Sequence, residues 1–349
     1  LSSHRSLVMH ALCTIAAAPA HFLEREKILA VVPLFHVNAW GLPFSTPITG
    51  TSLVLPGSNL DGKSLFDLMD QEEVTSAWGV PTIWLGLLAE MRQRNRKPKA
   101  LHQMVVGGAA PPGSLIDAFE ADFGIEVTHG WGMTEMGPVG TLNTQSPSKA
   151  TESKDAYLEL KTKQGRPLYG VEMRILDEAG NPLPHDGKNS GELQVRGAAV
   201  IKEYYKNAAI TEEAFTADGW FKTGDIATID SAGVMNVVDR AKDMIKSGGE
   251  WISSIEVENA AMGHPAIAEC CVIGVSHPHW QERPLLLAVL CEGQEASSES
   301  IKSLIAEQVA KIAIPDEVIF VDGLPHTATG KVSKRHLRET YKDYFLSDR

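Results

Sequence analysis

Apolar positions in this chain follow two rhythms. Between residues 5 and 130, short wholly apolar runs alternate with longer stretches whose apolar residues recur every three or four positions. The first rhythm marks strands buried on both faces, the second amphipathic helices. The pattern predicts helices over residues 6–18, 37–48, 64–71, 81–91 and 112–123, with Pro81 at a favoured first helical position. Strands are predicted over 28–33, 51–55, 75–78, 103–106 and 125–129. Such alternation defines a parallel sheet covered by helices, and ligands bind beyond the carboxyl ends of its strands. Residues 33–36, 107–112 and 130–135 fall on that edge.

The rhythm then changes. Residues 146–163 are polar and read as a mobile loop. Short strands follow over 172–176, 192–196, 226–230 and 234–238, separated by the turns Asp177-Glu-Ala-Gly-Asn and Asp230-Ser-Ala-Gly, which gives a small β-rich subdomain. Beyond a charged stretch at 239–250 come helices at 255–262, 298–311 and 335–344 and strands at 268–275, 285–291 and 318–321, with a glycine-containing loop at 327–334. The fold class is therefore α/β. A large N-terminal domain (residues 1–240) carries a helix-covered, mostly parallel sheet plus the β-rich subdomain, and a small α+β C-terminal domain occupies residues 241–349. Two domains are also the expectation for 349 residues.

Composition narrows the function classes. The chain is 43% hydrophobic and 22% charged, as in a soluble globular protein, and its net charge of −12 argues against nucleic acid or an anionic membrane as a general partner. No apolar run is long enough to span a bilayer, and none has the form of a signal sequence. Cys13, Cys270, Cys271 and Cys291 show no CxxC or ligand-like spacing, so free thiols in a reducing cytoplasm fit better than disulfides or structural zinc.

Several stretches offer chemistry, each beside a plainer reading. His129-Gly-Trp-Gly-Met-Thr-Glu135 holds a flat aromatic between two glycines, then a hydroxyl and a carboxylate. Trp131 can stack a nucleobase, Thr134 can donate to a phosphate, and Glu135 can hold Mg2+; a βα turn with a core Trp and a capping Thr reads equally well. Asp225, in Lys222-Thr-Gly-Asp225, can accept two hydrogen bonds from a ribose diol, with Arg240 returning to the same side after one hairpin; a turn aspartate is the alternative. Gly107-Gly-Ala-Ala-Pro-Pro112 can face a ligand with its amides or be an ordinary turn. Lys331 is either a reactive cation on a flexible loop or a surface charge, and His36 either lines a pocket or belongs to the core. Asp239-Arg-Ala-Lys-Asp-Met-Ile-Lys-Ser-Gly-Gly-Glu250 mixes three cations, three carboxylates and an adjacent glycine pair, as a hinge or a charged surface turn does.

In this order, the segments Pro33–His36, Gly107–Ala109, Trp131–Glu135, Lys222–Asp225, Asp239–Asp243, Ser247–Glu250 and Gly330–Lys331 resemble the adenylate-forming superfamily, specifically its acyl-CoA synthetases. The wording is most similar to bacterial fatty-acyl-CoA synthetases, and particularly to methylmercaptopropionate–CoA ligases. The resemblance covers nearly the whole chain and implies ATP, Mg2+ and CoA as cofactors and a short- or medium-chain carboxylic acid as substrate. It implies that residues 1–240 are the C-terminal portion of an AMP-binding domain and that 241–349 form a mobile lid. By motif, Lys331 would bridge the carboxylate and the α-phosphate, where a cation stabilises charge present chiefly in the transition state. Glu135 would position Mg2+, Thr134 a phosphate, Trp131 with Gly132 and Gly108–Ala109 the adenine side, and Asp225 with Arg240 the ribose. Lys242 would be the hinge. Lys246 and the Gly248–Gly249 strand would serve the second step, with CoA, and His36 and Trp40 would lie near the acyl pocket or its gate. A homodimer is a family expectation.

Two departures qualify the resemblance. Trp131 stands where the family usually has Tyr, which keeps stacking and removes a phenol hydrogen bond. The family's Ser/Thr/Gly-rich phosphate loop lies just upstream of the segment matching Ser3-His4-Arg5 and is absent here. Hydrogen bonds to charged groups contribute roughly 1.5–3 kcal/mol each, so the 349-residue piece alone is expected not to adenylate, and the natural protein to continue before Leu1. Other readings are a carrier-protein adenylation domain, disfavoured because no carrier-serine region follows the last helix, a luciferase-like oxygenase, and a non-catalytic nucleotide- or acyl-binding relative.

Overall fold

A computed structural model describes residues 1–144, 153–327 and 330–346. Two compact units emerge, one of Leu1–Thr223 with Ala227–Val237, the other of Gly224–Ile226 with Val238–Arg349.

The first unit is built on a seven-stranded sheet of order β2-β1-β3-β4-β5-β6-β7. Its strands are β1 (Lys27–Ala30), β2 (Ser52–Val54), β3 (Ser76–Gly79), β4 (Gln103–Val106), β5 (Glu126–Gly132), β6 (Val139–Leu142) and β7 (Arg166–Pro167). The first five in that order run parallel, and β6 and β7 add antiparallel. Strand side chains alternate between faces. Leu29, Ala77 and Met104 pack with Leu65, Phe66, Trp84 and Leu87 of α4 (Gly62–Glu72) and α5 (Pro81–Arg94). Their neighbours Ile28, Trp78 and Val105 pack on the opposite face with Phe22 and Leu42. Burial on both faces is why these strands read as continuous apolar runs.

The β-rich part of this fold is a four-stranded sheet of order β11-β10-β9-β8. It comprises β8 (Val171–Leu176), β9 (Gly191–Gly197), β10 (Phe221–Ile229) and β11 (Met235–Arg240).

In the second unit, β12 (Ile245–Ser247), β13 (Glu250–Ile252), β14 (Ile267–His277), β15 (Gln281–Leu290) and β16 (Glu317–Phe320) form a five-stranded sheet. Val272 and Leu286 face α9 (Ser254–Ala261) and α10 (Ser298–Ala306), whereas Cys271, Leu285 and Leu287 face Leu337 of α11 (Lys334–Tyr341).

Three expectations need correction. The helix predicted over 37–48 is interrupted: Val37–Trp40 (α2) form a left-handed turn with φ between 44° and 57°, capped by Gly41 at φ 79°, and only Leu42–Thr49 (α3) is right-handed. The helix predicted over 112–123 is a short α segment, Gly113–Asp117 (α6), continued by a wider π-type turn over Ala118–Asp122. Within the loop predicted at 146–163, Lys154–Thr162 (α7) is helical, with the Ser153 hydroxyl accepting from the Ala156 amide; residues 145–152 lie outside the described residues. A further helix, Ala208–Ala214 (α8), was not predicted; Asn207 caps it.

Candidate active site

In the first unit the loops at the carboxyl ends of β1, β4 and β5 meet. Trp40 lies across Gly107: a Cβ there would sit 3.0 Å from Cη2 of the indole and 3.0 Å from the Gly130 carbonyl oxygen. A side chain larger than hydrogen would therefore push the β1 and β4 loops apart. Gly108 (φ 80°) and Ala109 follow on the surface. His36, partly buried, begins the left-handed turn, its amide donating to the Pro33 carbonyl at 3.0 Å.

His10, on α1 (His4–Ala17), was missed by the sequence reading and joins two of these loops. It is 3% exposed, and its Nε2 accepts the Val139 amide at 2.9 Å. A Cβ on Gly41 would lie 3.4 Å from its Nδ1, and one on Gly137 would lie 3.3 Å from its Cδ2. Burial pushes its pKa down to about 4, against the opposing pull of the Val139 backbone.

The Trp131–Glu135 motif is not a plain βα turn, because β5 continues through Gly132. The half-buried Trp131 packs over Gly140, whose added Cβ would fall 2.7 Å from the ring's Cζ3. Thr134 is exposed and opens the 3₁₀ turn Thr134–Met136; Met133, not Thr134, occupies the cap position. On that turn, Glu135 Oε1 accepts the Tyr204 hydroxyl at 2.8 Å. Its backbone carbonyl accepts the Ile201 amide at 2.8 Å. Burial and the adjacent carboxylate push the Tyr204 pKa up to about 12, so the phenol stays a donor.

The second unit brings Asp225, Arg240 and Lys331 together. Asp225 is 2% exposed, follows Gly224 (φ 72°), and pairs with Arg240 Nε at 2.8 Å. The Ala241 amide donates to the Gly224 carbonyl at 2.9 Å, holding the Arg240 segment alongside. Lys331 is partly buried; burial and the Arg240 charge lower its pKa, while Asp225 acts to raise it. Its loop is closed by the Thr327 amide donating to the Lys331 carbonyl at 2.7 Å; residues 328–329 of that predicted loop lie outside the described residues.

Lys242 is exposed, two residues after Arg240. Lys246, also exposed, sits with its ammonium 5.0 Å from the Trp251 ring centroid. Gly248 (φ 59°) and Gly249 (φ 95°) form the two-residue turn of the β12–β13 hairpin, closed by Ser247 opposite Glu250. Positive φ at both positions is what such a turn requires, which explains the adjacent pair.

The chain belongs to the AMP-binding enzyme family. The family's model matches residues 1–205, and that of the AMP-binding enzyme C-terminal domain matches residues 256–331. Among its relatives, a 3-methylmercaptopropionyl-CoA ligase of Ruegeria pomeroyi is 46% identical over 343 residues, covering 98% of this chain and 63% of the relative. A medium-chain-fatty-acid–CoA ligase of Ectopseudomonas oleovorans is 48% identical over 346 residues, covering 99% and 63%. The solved structure of ATP-bound MatB from Rhodopseudomonas palustris superposes with a TM-score of 0.84 at 27% identity, covering 99% of this chain and 65% of that one. The chain thus spans about 63% of the length of these curated relatives.

Proposed function

We propose that the complete protein is an AMP-forming acyl-CoA ligase for a short- or medium-chain carboxylic acid, 3-methylmercaptopropionate among them. The observation that carries this reading is the trio of Asp225, Arg240 and Lys331. A buried carboxylate bonded to a guanidinium suits a ribose diol, and a partly desolvated ammonium close by suits a phosphate. The family membership and the names of the ligases at 46% and 48% identity support it.

In this reading, residues 1–240 form the C-terminal portion of the large AMP-binding domain, and residues 241–349 a lid that turns at Lys242. A carboxylate oxygen attacks the α-phosphorus of ATP, the bond to pyrophosphate breaks, and an acyl-adenylate forms. Lys331 holds the carboxylate and α-phosphate oxygens together as negative charge builds between them. Trp131 and Gly132, with Gly108 and Ala109, receive the adenine, Thr134 a phosphate, and Asp225 and Arg240 the ribose. The CoA sulfur then attacks the acyl carbonyl and AMP leaves, with Lys246, Gly248 and Gly249 along the pantetheine arm. His36 and Trp40 border the acyl group.

Mg2+ fits the residues present. It is commonly held by one or two carboxylates together with substrate phosphates. Glu135 offers one carboxylate, whose Oε1 accepts the Tyr204 hydroxyl at 2.8 Å. The ion would neutralise phosphate charge. Free cysteines suit a reducing cytoplasm, and no described helix is long and apolar enough to cross a membrane. A homodimer belongs to the same reading.

The test is a CoA-ligation screen of the complete protein across straight-chain, thioether and aromatic acids, with pyrophosphate and thioester measured separately. Lys331→Ala should lose adenylation, whereas Lys242→Pro should retain it and lose thioester formation. ATP binding without pyrophosphate release for any acid would instead mark a non-catalytic relative.

A further inference from the structure

The motifs leave a group of charges in the second unit without a role. Lys334, the first residue of α11, donates from Nζ to Ser254 Oγ at 2.6 Å and to Glu258 Oε1 at 2.8 Å. Only 17% of the Lys334 side chain and 20% of that of Glu258 are accessible, so this ion pair is mostly desolvated. Ser254 passes the connection on: its hydroxyl and its amide both donate to Asp239 Oδ2 at 2.6 Å. Asp239 is 1% exposed, and its Oδ1 accepts the Arg240 amide at 2.7 Å. One turn further along α11, Arg338 pairs with Asp243. Residues four apart on a helix share a face, so one basic face of α11 reaches both ends of the segment from Asp239 to Asp243, the first through Ser254 and the second directly.

This arrangement is costly unless it achieves something. Taking two charges out of water is expensive, and an apolar pair of similar volume is often at least as stable. What the ion pair provides here is a defined position. Lys331 lies three residues before Lys334, and Arg240 follows Asp239 directly. The bonded path Lys334–Ser254–Asp239 therefore links the loop bearing Lys331 to the strand end bearing Arg240. Burial opposes the charge on Lys334, but the Glu258 and Asp239 carboxylates outweigh it and hold the ammonium's pKa above the ordinary lysine value. The donor is thus charged throughout the working pH range.

We infer that Lys334 is a positioning residue, a brace that fixes Lys331 relative to Arg240 and Asp225 for the adenylation step. The inference rests on the acyl-CoA ligase reading. Because Lys331 serves only the first half-reaction in that reading, loss of the brace should divide the two halves.

The experiment uses the complete protein and compares wild type, Lys334→Met and the double variant Lys334→Met with Glu258→Gln, which removes the charge and keeps an acceptor for the Val272 amide that bonds Glu258 Oε1 at 2.8 Å. Pyrophosphate release reports adenylation, thioester formation from supplied acyl-adenylate and CoA reports the second step, and thermal unfolding reports stability. A misplacement of about 1 Å costs up to ~100-fold in rate, so adenylation should fall roughly tenfold or more in both variants, with thioester formation within about threefold of wild type. The single variant leaves the buried Glu258 carboxylate without its counter-ion and should melt earlier; the double variant, whose neutral side-chain oxygen still accepts the Val272 amide, should recover the melting temperature but not adenylation. Equal losses in the two half-reactions, or adenylation that returns with stability in the double variant, would overturn the inference. A wild type that forms no adenylate with any acid removes the ligase reading and the inference together; an active wild type with undivided losses removes the inference alone.

Discussion

Tyr204 and Glu135, sixty-nine residues apart in sequence, are joined by a 2.8 Å hydrogen bond from the phenol to Oε1 of the carboxylate. The bond restrains the rotamer of the one carboxylate in the Trp131–Glu135 motif. Tyr204→Phe removes only that donor. A hydrogen bond to a charged group contributes roughly 1.5–3 kcal/mol, so adenylation should drop about 10- to 100-fold at limiting Mg2+. Raising Mg2+ should recover much of the loss, because the carboxylate remains. Pyrophosphate release across a Mg2+ titration checks this; a drop that no Mg2+ concentration relieves would show that Glu135 does not hold the cation.

The Asp225–Arg240 pair predicts a different signature. Asp225 is 2% exposed, whereas 42% of the Arg240 side chain reaches solvent. Arg240→Gln leaves the carboxylate without its ion-pair partner, but solvent at the guanidinium side limits the stability loss to about 1–2 kcal/mol. The effect on nucleotide binding should be larger. ATP KM is expected to rise roughly tenfold or more, with the KM for the acid changed little, since a charged hydrogen bond to the nucleotide is lost. Steady-state kinetics with each substrate varied in turn will separate the two constants.

Much of this architecture was legible because local physics agreed with the fold. Strands buried on both faces leave runs such as Gln103–Val106, and glycines mark the positions where chains approach, as at Gly107 under Trp40. The left-handed turn was not legible, since Val37, Asn38, Ala39 and Trp40 include only one residue type that enters that region readily. Helix α7 was hidden by its polar composition, although Ser153 already offered a cap. Long-range partners left no local trace. Nothing near Glu135 points to Tyr204, and nothing near Lys334 points to Ser254 and Asp239, because such bonds exist only once distant elements pack.

Three buried histidines predict how the first unit responds to acid. Burial lowers His10 and His129 to about 4 and His21 to about 3; the nearby His102 pushes His21 down further, while backbone carbonyls partly oppose the shift at His129. Folded-state values below the unfolded 6.5 mean that the unfolded chain takes up protons first. Their contribution is therefore fully present above pH 6.5 and is lost as pH falls toward 4 and then 3. Well inside that window each histidine costs about 1.4 kcal/mol per pH unit, or about 4 kcal/mol for the three together. Thermal unfolding between pH 7 and 4.5 should show this decline, and His10→Gln should make it shallower by about a third. An unchanged slope in that variant would mean that His10 is not held neutral.

The glycine pair of the β12–β13 turn can be separated by substitution. Both residues have positive φ, so alanine at either position carries backbone strain of roughly 1–3 kcal/mol. Only Gly248 has a second constraint. A Cβ there would fall 2.6 Å from Cε3 of Trp280, whose carbonyl accepts the Gly248 amide at 2.9 Å, whereas a Cβ on Gly249 meets nothing within 4 Å. Gly248→Ala must therefore displace the indole or the hairpin, while Gly249→Ala carries the backbone strain without a clash. If this turn lies along the pantetheine arm, Gly248→Ala should slow thioester formation at least tenfold more than Gly249→Ala, at comparable adenylation rates; a displacement near 1 Å has about that effect. Equal thioester rates in the two variants would separate the turn from the CoA path and leave it only the task of closing the hairpin.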